Sequence, residues 1–199
     1  MRTLWILGLV AACSREPTRE PPPPSSSQTV AAPVAPVAPA APVERAKVAV
    51  AGYKRELLAA LTAAKRDGLP AAIEACATAA PSLAKAASVD GLTVGRATDK
   101  PRNPANAAVG WQAEALASFE AKVAAGAALE GASWTATGPD GTTRYAEPLV
   151  IGPPCVTCHG AELSPEVKAA LAARYPDDRA TGYAQGDLRG VAWAEVAPR

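Results

Sequence analysis

The chain contains few of the side chains that usually bind metals or fill a protein interior. Its 199 residues include one histidine, four cysteines, one phenylalanine and a single methionine, which is the initiator Met1. Aromatic residues make up 5% of the chain, whereas hydrophobic residues make up 49%, and much of that share is alanine. An interior built from such small side chains gains packing contacts from a large bound group.

The chain also lacks an excess of charge of either sign. It carries 20 Lys and Arg against 19 Asp and Glu, which leaves a net charge of +1. This balance gives no electrostatic case for nucleic acid or anionic lipid as a partner. The length favours one folded domain.

Half of the cysteines and the only histidine lie together in a C-x-x-C-H sequence, Cys155-Val156-Thr157-Cys158-His159. This spacing is typical of covalent attachment of a c-type haem. Each thiol adds to one vinyl group of the porphyrin, and the histidine binds the iron. A redox dithiol, half of a zinc site and a chance cluster are the alternatives. A dithiol does not need the adjacent histidine, and Cys and His are scarce in this chain, so we favour haem.

Residues 1–13 are predicted to form an export signal. Arg2 supplies the positive charge before the apolar run Leu4–Ala12, which is too short to span a bilayer. The run ends in Val10-Ala11-Ala12-Cys13, which resembles a bacterial lipobox. We therefore expect a lipid on Cys13 that anchors the exported protein at the periplasmic face of a bacterial membrane. Ordinary cleavage of the signal is the alternative.

Residues 14–43 are predicted to form a disordered linker. They contain the proline run Pro21–Pro24 and repeated Ala-Pro-Val pieces, and they lack periodic hydrophobic residues. Such a composition favours extended polyproline II and cannot bury a core. We interpret this segment as a tether.

Residues 44–199 are predicted to form one domain of the α+β class, in which helices flank a small antiparallel sheet. Apolar spacing and helix-terminating residues predict helices near 44–67, 70–87, 106–126 and 165–174. Strands are predicted at the start of 88–105 and over 132–137, 142–150 and 189–196, with a turn at Gly138–Gly141. The third helix is expected to turn four residues inward: Trp111, Ala115, Phe119 and Val123.

The second predicted helix has a cysteine, Cys76, on its apolar face. Ile73, Ala80 and Leu83 share that face, so Cys76 is expected to point towards the core. A lone cysteine in such a place is usually a small hydrophobe, and periodicity alone favours that interpretation over ligation. Pro81 is expected to bend or interrupt the helix just after it.

Two arginines in the segment that follows, Arg96 and Arg102, are candidates for contacts with haem propionates. The guanidinium fork matches a carboxylate well. Solvated surface charge is the alternative, because the surrounding loop is rich in Gly, Pro and charged residues.

Further short motifs lie on both sides of the C-x-x-C-H sequence. They are Cys76 with Pro81, Val94-Gly95-Arg96, Arg102–Asn106, Trp111, Arg144-Tyr145 with Pro148-Leu149, Tyr175-Pro176 with Asp178, Ala180–Tyr183, Gly186-Asp187 and Arg189-Gly190. In this order they resemble the Tll-type c-haem domain, a bacterial family with a PAS-like fold, over about residues 45–197. The resemblance implies one covalently bound haem c, with His159 and Cys76 as the axial ligands of the iron.

Together with the predicted export signal and lipid anchor, the resemblance leads us to expect an exported, membrane-tethered monohaem protein, similar to c-type cytochromes. We expect it to act as a redox or gas sensor module, a role that the PAS-like architecture favours by analogy. A thiolate ligand stabilises ferric iron, and its loss on reduction would let CO, NO or O₂ bind. A separate redox or signalling protein is the expected partner, because no transmitter, kinase or DNA-binding segment follows the domain. A simple periplasmic electron carrier is the alternative.

Two other classes of protein remain as alternatives to a sensor or carrier. A peroxidase needs a distal acid–base group, and the chain has no second histidine to supply it, so we expect no enzymatic activity. A structural zinc protein would use a Cys₃His ligand set. The chain offers one such set: Cys76, Cys155, Cys158 and His159.

Overall fold

The structure is a computed structural model that describes residues 41–198. The predicted signal, Cys13 and the predicted linker up to residue 40 lie outside the described residues. Helices and strands follow in the order α1 Pro42–Ala64, α2 Leu69–Ala87, β1 Leu92–Ala97, α3 Trp111–Ala124, β2 Trp134–Thr137, β3 Thr143–Val150, α4 Val156–His159, α5 Pro165–Arg174 and β4 Leu188–Val196. The predicted α+β class is confirmed.

The four strands form one antiparallel sheet in the order β1-β4-β3-β2. Strand β4 is one of the two inner strands and pairs with β1 and β3 along most of its length. The pairing of β3 with β4 shifts register between Leu149 and Val150, shortly before the C-x-x-C-H sequence. The sheet therefore delivers that sequence to the end at which β4 begins.

Helix α1 covers one face of the sheet. Its buried residues Val50 and Tyr53 pack with Val94, Tyr145 and Ala194 from three neighbouring strands. Successive side chains of a strand point to opposite faces, so these strand residues share the face towards α1. Helix α2 packs beside α1 and, through Ile73, forms a further apolar cluster with α5.

Helix α3 covers the opposite face. Its buried residues Trp111 and Phe119 pack with Ala146 and Val191 of the sheet. Trp111 also stacks on Trp134, with the ring centroids 5.7 Å apart, and meets the edge of a second indole, that of Trp193, at 5.5 Å. Three of the four tryptophans thus supply bulk that this alanine-rich chain otherwise lacks.

The helix boundaries differ from the predicted ones in two places. Helix α1 begins at Pro42, inside the predicted linker, because proline suits the first helical turn. Helix α3 begins at Trp111 rather than Asn106, because Pro104–Asn106 form a separate 3₁₀ turn and Gly110 has a positive φ of 53°. Within residues 41–198, no helix has the length and hydrophobicity needed to cross a membrane.

Two details predicted for individual residues in the helices are corrected: the interruption of α2 at Pro81 and the inward position of Val123. Pro81 does not interrupt α2, which continues to Ala87. Since Pro81 is exposed, the backbone hydrogen bond that it cannot make lies near the surface of the helix. Val123 does not face inward but is 48% exposed, because it lies in the last turn of α3.

Phe119 and Val123 lie one helical turn apart and provide a matched test of this packing. Phe119→Ala is expected to lower the free energy of unfolding by about 3–5 kcal/mol, because the fully buried ring leaves a cavity. Val123→Ala is expected to change it by about 0.5 kcal/mol or less. Urea unfolding followed by circular dichroism measures both. Equal losses in the two variants would contradict this assignment of the core.

Candidate functional site

The C-x-x-C-H sequence forms a single helical turn. After β3 the chain is fixed by Ile151, whose N–H donates to the Asp187 carbonyl at 2.9 Å. The N–H groups of Cys158 and His159 then both donate to the Cys155 carbonyl, at 3.1 and 3.0 Å. Residues three apart lie on the same side of a helix, so this turn carries both thiols on one side.

The imidazole of His159 is held in one tautomer. Its Nδ1 lies 2.7 Å from the carbonyl oxygen of Ala180. A carbonyl can only accept a hydrogen bond, so Nδ1 carries the proton and Nε2 keeps its lone pair. Burial, followed by the positive charge of Arg102, lowers the pKa of His159 to about 3. The ring is therefore neutral at ordinary pH, which is the form that binds a metal ion.

The backbone next to His159 is fixed by the segment after Ala180. The N–H of Tyr183 donates to the His159 carbonyl at 2.9 Å, and the N–H of Gly182 donates to the Gly160 carbonyl at 3.1 Å. The Tyr183 ring meets the imidazole edge to face, with centroids 6.4 Å apart. The Ala180–Tyr183 motif thus holds the histidine through both its side chain and its main chain.

A buried ion pair, Arg102 with Asp178, lies next to the Ala180 carbonyl that binds the imidazole. Arg102 Nε is 3.1 Å from Asp178 Oδ2, and each of the two side chains is only 10% exposed. The Nη2 of Arg102 donates to the carbonyls of Cys158 and Ala180. The propionate contact predicted for Arg102 remains a prediction, and in the structure its guanidinium binds a carboxylate and two carbonyls.

Most of the predicted site residues line one cavity of about 100 Å³. His159, Cys76, Arg96 and Arg102 all line it, although they come from four separate parts of the sequence. The cavity walls come from α2, from the end of β1 and the loop after it, from the end of β3 and from the start of β4. The full lining is Cys76, Arg96, Ala97, Thr98, Arg102, Asn103, Asn106, Leu149, His159, Tyr175 and Arg189.

Cys76 is half-buried and lies among charged neighbours. Burial raises the pKa of its thiol, and the positive charges of Arg96 and Arg102 act in the opposite direction. Burial also raises the pKa of Cys158, again against the charge of Arg102. Within the described residues Cys76, Cys155 and Cys158 are free thiols, so the C-x-x-C pair forms no disulfide here.

Arg189 is a cavity residue that the sequence reasoning did not single out. Its Nη1 donates to Thr98 Oγ1 at 2.7 Å, and its guanidinium lies over the Tyr183 ring, 5.4 Å from the centroid. Burial lowers its pKa. The Arg189-Gly190 motif marks this position, but the contact with Thr98 follows from the pairing of β1 with β4, which the sequence alone does not show.

The fold and site together define an α+β domain in which a C-x-x-C-H turn faces a cavity lined by arginines. Residues 30–196 match the family described as Tll0287-like, and the chain belongs to this family. No curated protein matches it. One similar solved structure is the crystal structure of the cyanobacterial haem protein Tll0287, with 24% identity and a TM-score of 0.56, covering 80% of this chain and 98% of that one. That likeness shows a shared fold.

Gly160, which ends the C-x-x-C-H turn, is expected to tolerate no side chain. A Cβ at this position would lie 2.5 Å from the Val156 carbonyl oxygen, which belongs to the rigid backbone of the turn. Gly160→Ala should lower the free energy of unfolding by about 1–3 kcal/mol because of this overlap.

Gly152, just before the turn, supplies the matched control. A Cβ there would meet Pro154 at 3.7 Å and Cys155 at 3.9 Å, which are ordinary contacts. Gly152→Ala should change the free energy of unfolding by about 0.5 kcal/mol or less. Urea unfolding of both variants measures the difference, and a Gly160→Ala protein as stable as Gly152→Ala would refute the overlap.

Proposed function

We propose that the chain binds one haem c covalently and works as an exported, membrane-tethered redox or gas sensor module. The observation that carries this proposal is that His159 and Cys76, distant in sequence, line one cavity. The family assignment supports it, since the solved structure with the same fold is described as a haem protein. A bound haem would supply an iron centre that exchanges an electron and, with an open coordination position, binds a diatomic gas.

The side chains of the site fit a covalently attached haem in their chemistry. Cys155 and Cys158 are two free thiols at the required spacing, and they would form the thioether links. His159 offers a neutral imidazole with Nε2 available to bind iron. Cys76 offers a third free thiol from a different helix. Arg96 and Arg102, with Arg189 beside them in the cavity lining, would supply positive charge for the propionates.

The cavity is smaller than the group it is proposed to hold. Its volume is about 100 Å³, whereas ligand pockets of drug-sized molecules start at roughly 300 Å³. Arg96 and Arg189 form part of its wall, and neither belongs to the buried Arg102–Asp178 ion pair. We therefore expect attachment of the haem to be coupled to movement of those side chains.

The structure gives no support to the zinc alternative. A structural zinc ion needs four ligands that converge at about 2.0–2.3 Å from one point. Among residues 41–198 there is no group of three or more His, Cys, Asp or Glu side chains arranged to hold a metal ion. Cys76, Cys155, Cys158 and His159 therefore do not form a Cys₃His set in this fold.

A sensor module is preferred to a plain electron carrier because the two proposed ligands belong to different elements. His159 lies in the turn after β3, whereas Cys76 lies on α2, and only the histidine is fixed by a side-chain hydrogen bond to the backbone. We propose a separate redox or signalling protein as partner, no enzymatic activity, and a lipid anchor on Cys13 at the periplasmic face of the membrane.

Cys76→Ser is the decisive variant for the proposed ligation. The full chain made with the cytochrome c maturation machinery should show a Soret band that stays with the polypeptide after denaturation. Cys76→Ser should keep the covalent haem but lose the low-spin thiolate signature in the ferric absorption and EPR spectra. The double variant Cys155→Ser with Cys158→Ser should abolish covalent attachment of the haem.

Ser82→Ala, on the exposed side of the same helix, is the matched control and should leave the ferric spectrum unchanged. A Cys76→Ser spectrum identical to that of the unaltered protein would remove Cys76 from the iron. A wild-type protein without any Soret band would refute haem binding as a whole.

Gas binding to the reduced protein separates the sensor from the carrier. The sensor proposal predicts that reduced protein binds CO, with a shifted Soret band and loss of the Cys76 bond. Stopped-flow absorption after mixing with CO measures this, and the Cys76→Ser protein should bind CO faster because no thiol competes. Fast electron exchange with no ligand change and no CO complex would identify an electron carrier instead.

A further inference from the structure

We propose that Arg102 and Asp178 form a positioning pair that holds the His159 imidazole in one tautomer and orientation through the backbone of Ala180. This inference rests on the proposed function, in which His159 binds the haem iron. It gives Arg102 a role towards the histidine that does not depend on the propionate contact predicted from the sequence.

Each of the two carboxylate oxygens of Asp178 accepts a hydrogen bond from a different partner. Its Oδ1 accepts a hydrogen bond from the Ala180 N–H at 2.8 Å, and its Oδ2 accepts one from Arg102 Nε at 3.1 Å. The first bond turns the 178–180 segment so that the Ala180 carbonyl has a fixed direction. The second bond fixes the guanidinium relative to that segment.

The guanidinium of Arg102 also contacts two backbone carbonyls next to the histidine, those of Cys158 and Ala180. Arg102 Nη2 donates to the Ala180 carbonyl at 3.3 Å, and the same oxygen accepts from His159 Nδ1 at 2.7 Å. A carbonyl oxygen has two lone pairs, so it can accept both bonds. Nη2 also donates to the carbonyl of Cys158, the residue before the histidine. One side chain thus restrains the histidine and its acceptor together.

The burial of this pair points to a role other than stability. Removing two charges from water costs several kcal/mol per ion, so a buried pair is weak evidence for stability and needs good hydrogen bonds. The described part of the chain offers a contrast in Arg174 and Glu74, which are 3.0 Å apart but 46% and 56% exposed. The Arg102–Asp178 pair is buried because it lies between three loops that meet at the histidine.

Arginine is required here for its shape as well as its charge. The fork of Arg102 reaches a carboxylate through Nε and carbonyls through Nη2 at the same time. Lysine has one ammonium group on a flexible stem and cannot span these three acceptors in a fixed plane. Arg102→Lys therefore keeps the charge and removes the restraint.

The chain provides a built-in probe, because His159 is its only histidine. The full chain, purified as it is made with the maturation machinery, is labelled with ¹⁵N-histidine, and NMR measures solvent exchange of the His159 Nδ1 proton. Arg102→Lys and Asp178→Asn should each speed this exchange by up to about tenfold, the factor that corresponds to one hydrogen bond. In haem-loaded protein, both should also shift and broaden the ferric EPR signal.

Two matched controls separate positioning from general loss of charge. Asp177→Asn removes the exposed carboxylate next to Asp178, and Arg174→Gln removes the exposed ion pair with Glu74. Neither should change the exchange rate or the EPR signal.

Asp178→Glu is the conservative replacement within the pair itself. It keeps the negative charge, and its exchange should be slower than that of Asp178→Asn.

The proposal is overturned if Arg102→Lys and Asp178→Asn fold, as judged by circular dichroism, and exchange the Nδ1 proton as slowly as the unaltered chain. If the variants do not fold, the exchange rate in the unaltered chain tests the restraint on His159. An Nδ1 proton that exchanges there at the rate of free histidine contradicts the proposal. Haem staining of the same sample reports separately on the proposed function. A haem-free chain with a slow Nδ1 proton would refute haem binding and retain the restraint.

Discussion

The arrangement of the site depends on one carbonyl oxygen, that of Ala180. It accepts one hydrogen bond from His159 Nδ1 and another from Arg102 Nη2. The N–H of Ala180 donates a hydrogen bond to the Asp178 carboxylate. Through these bonds the loop after β1, the C-x-x-C-H turn and the segment before β4 are tied to one another. The availability of Nε2 follows from the same contact. The neutral state of the imidazole follows instead from burial and from the positive charge of Arg102, which lower its pKa against the effect of this hydrogen bond.

The sheet explains why these three segments meet. Both β1 and β3 pair with β4, so the loop that leaves β1, the turn that leaves β3 and the segment that enters β4 emerge at one end of the sheet. Gly190 allows the close approach, since a Cβ there would overlap the Ala97 carbonyl and the backbone φ is 152°. Chemistry that is scattered along the sequence is thereby collected at one edge of the fold.

Most of the fold could be predicted from the sequence because its signals are local. Apolar spacing, Pro and Gly locate the helices, and the turn at Gly138–Gly141 appears where expected, closed by a 3.0 Å hydrogen bond from the Gly141 N–H to the Gly138 carbonyl. The error at Val123 concerns exposure, which depends on where neighbouring elements end. The site was predictable in its residue types but not in its partners. The link of Arg102 to Asp178 spans 76 positions, and no local pattern encodes it.

The position of β4 in the sheet has a consequence for biosynthesis. This strand is made after every other described element, yet it is the one to which β1 and β3 both pair. The sheet therefore cannot close before β4 has been made, and its contacts are mostly non-local, which slows folding. During that interval the thiols of Cys155 and Cys158 belong to a chain whose sheet is still open. The topology thus orders folding in time, because the C-x-x-C-H turn is made before the strand that completes the sheet.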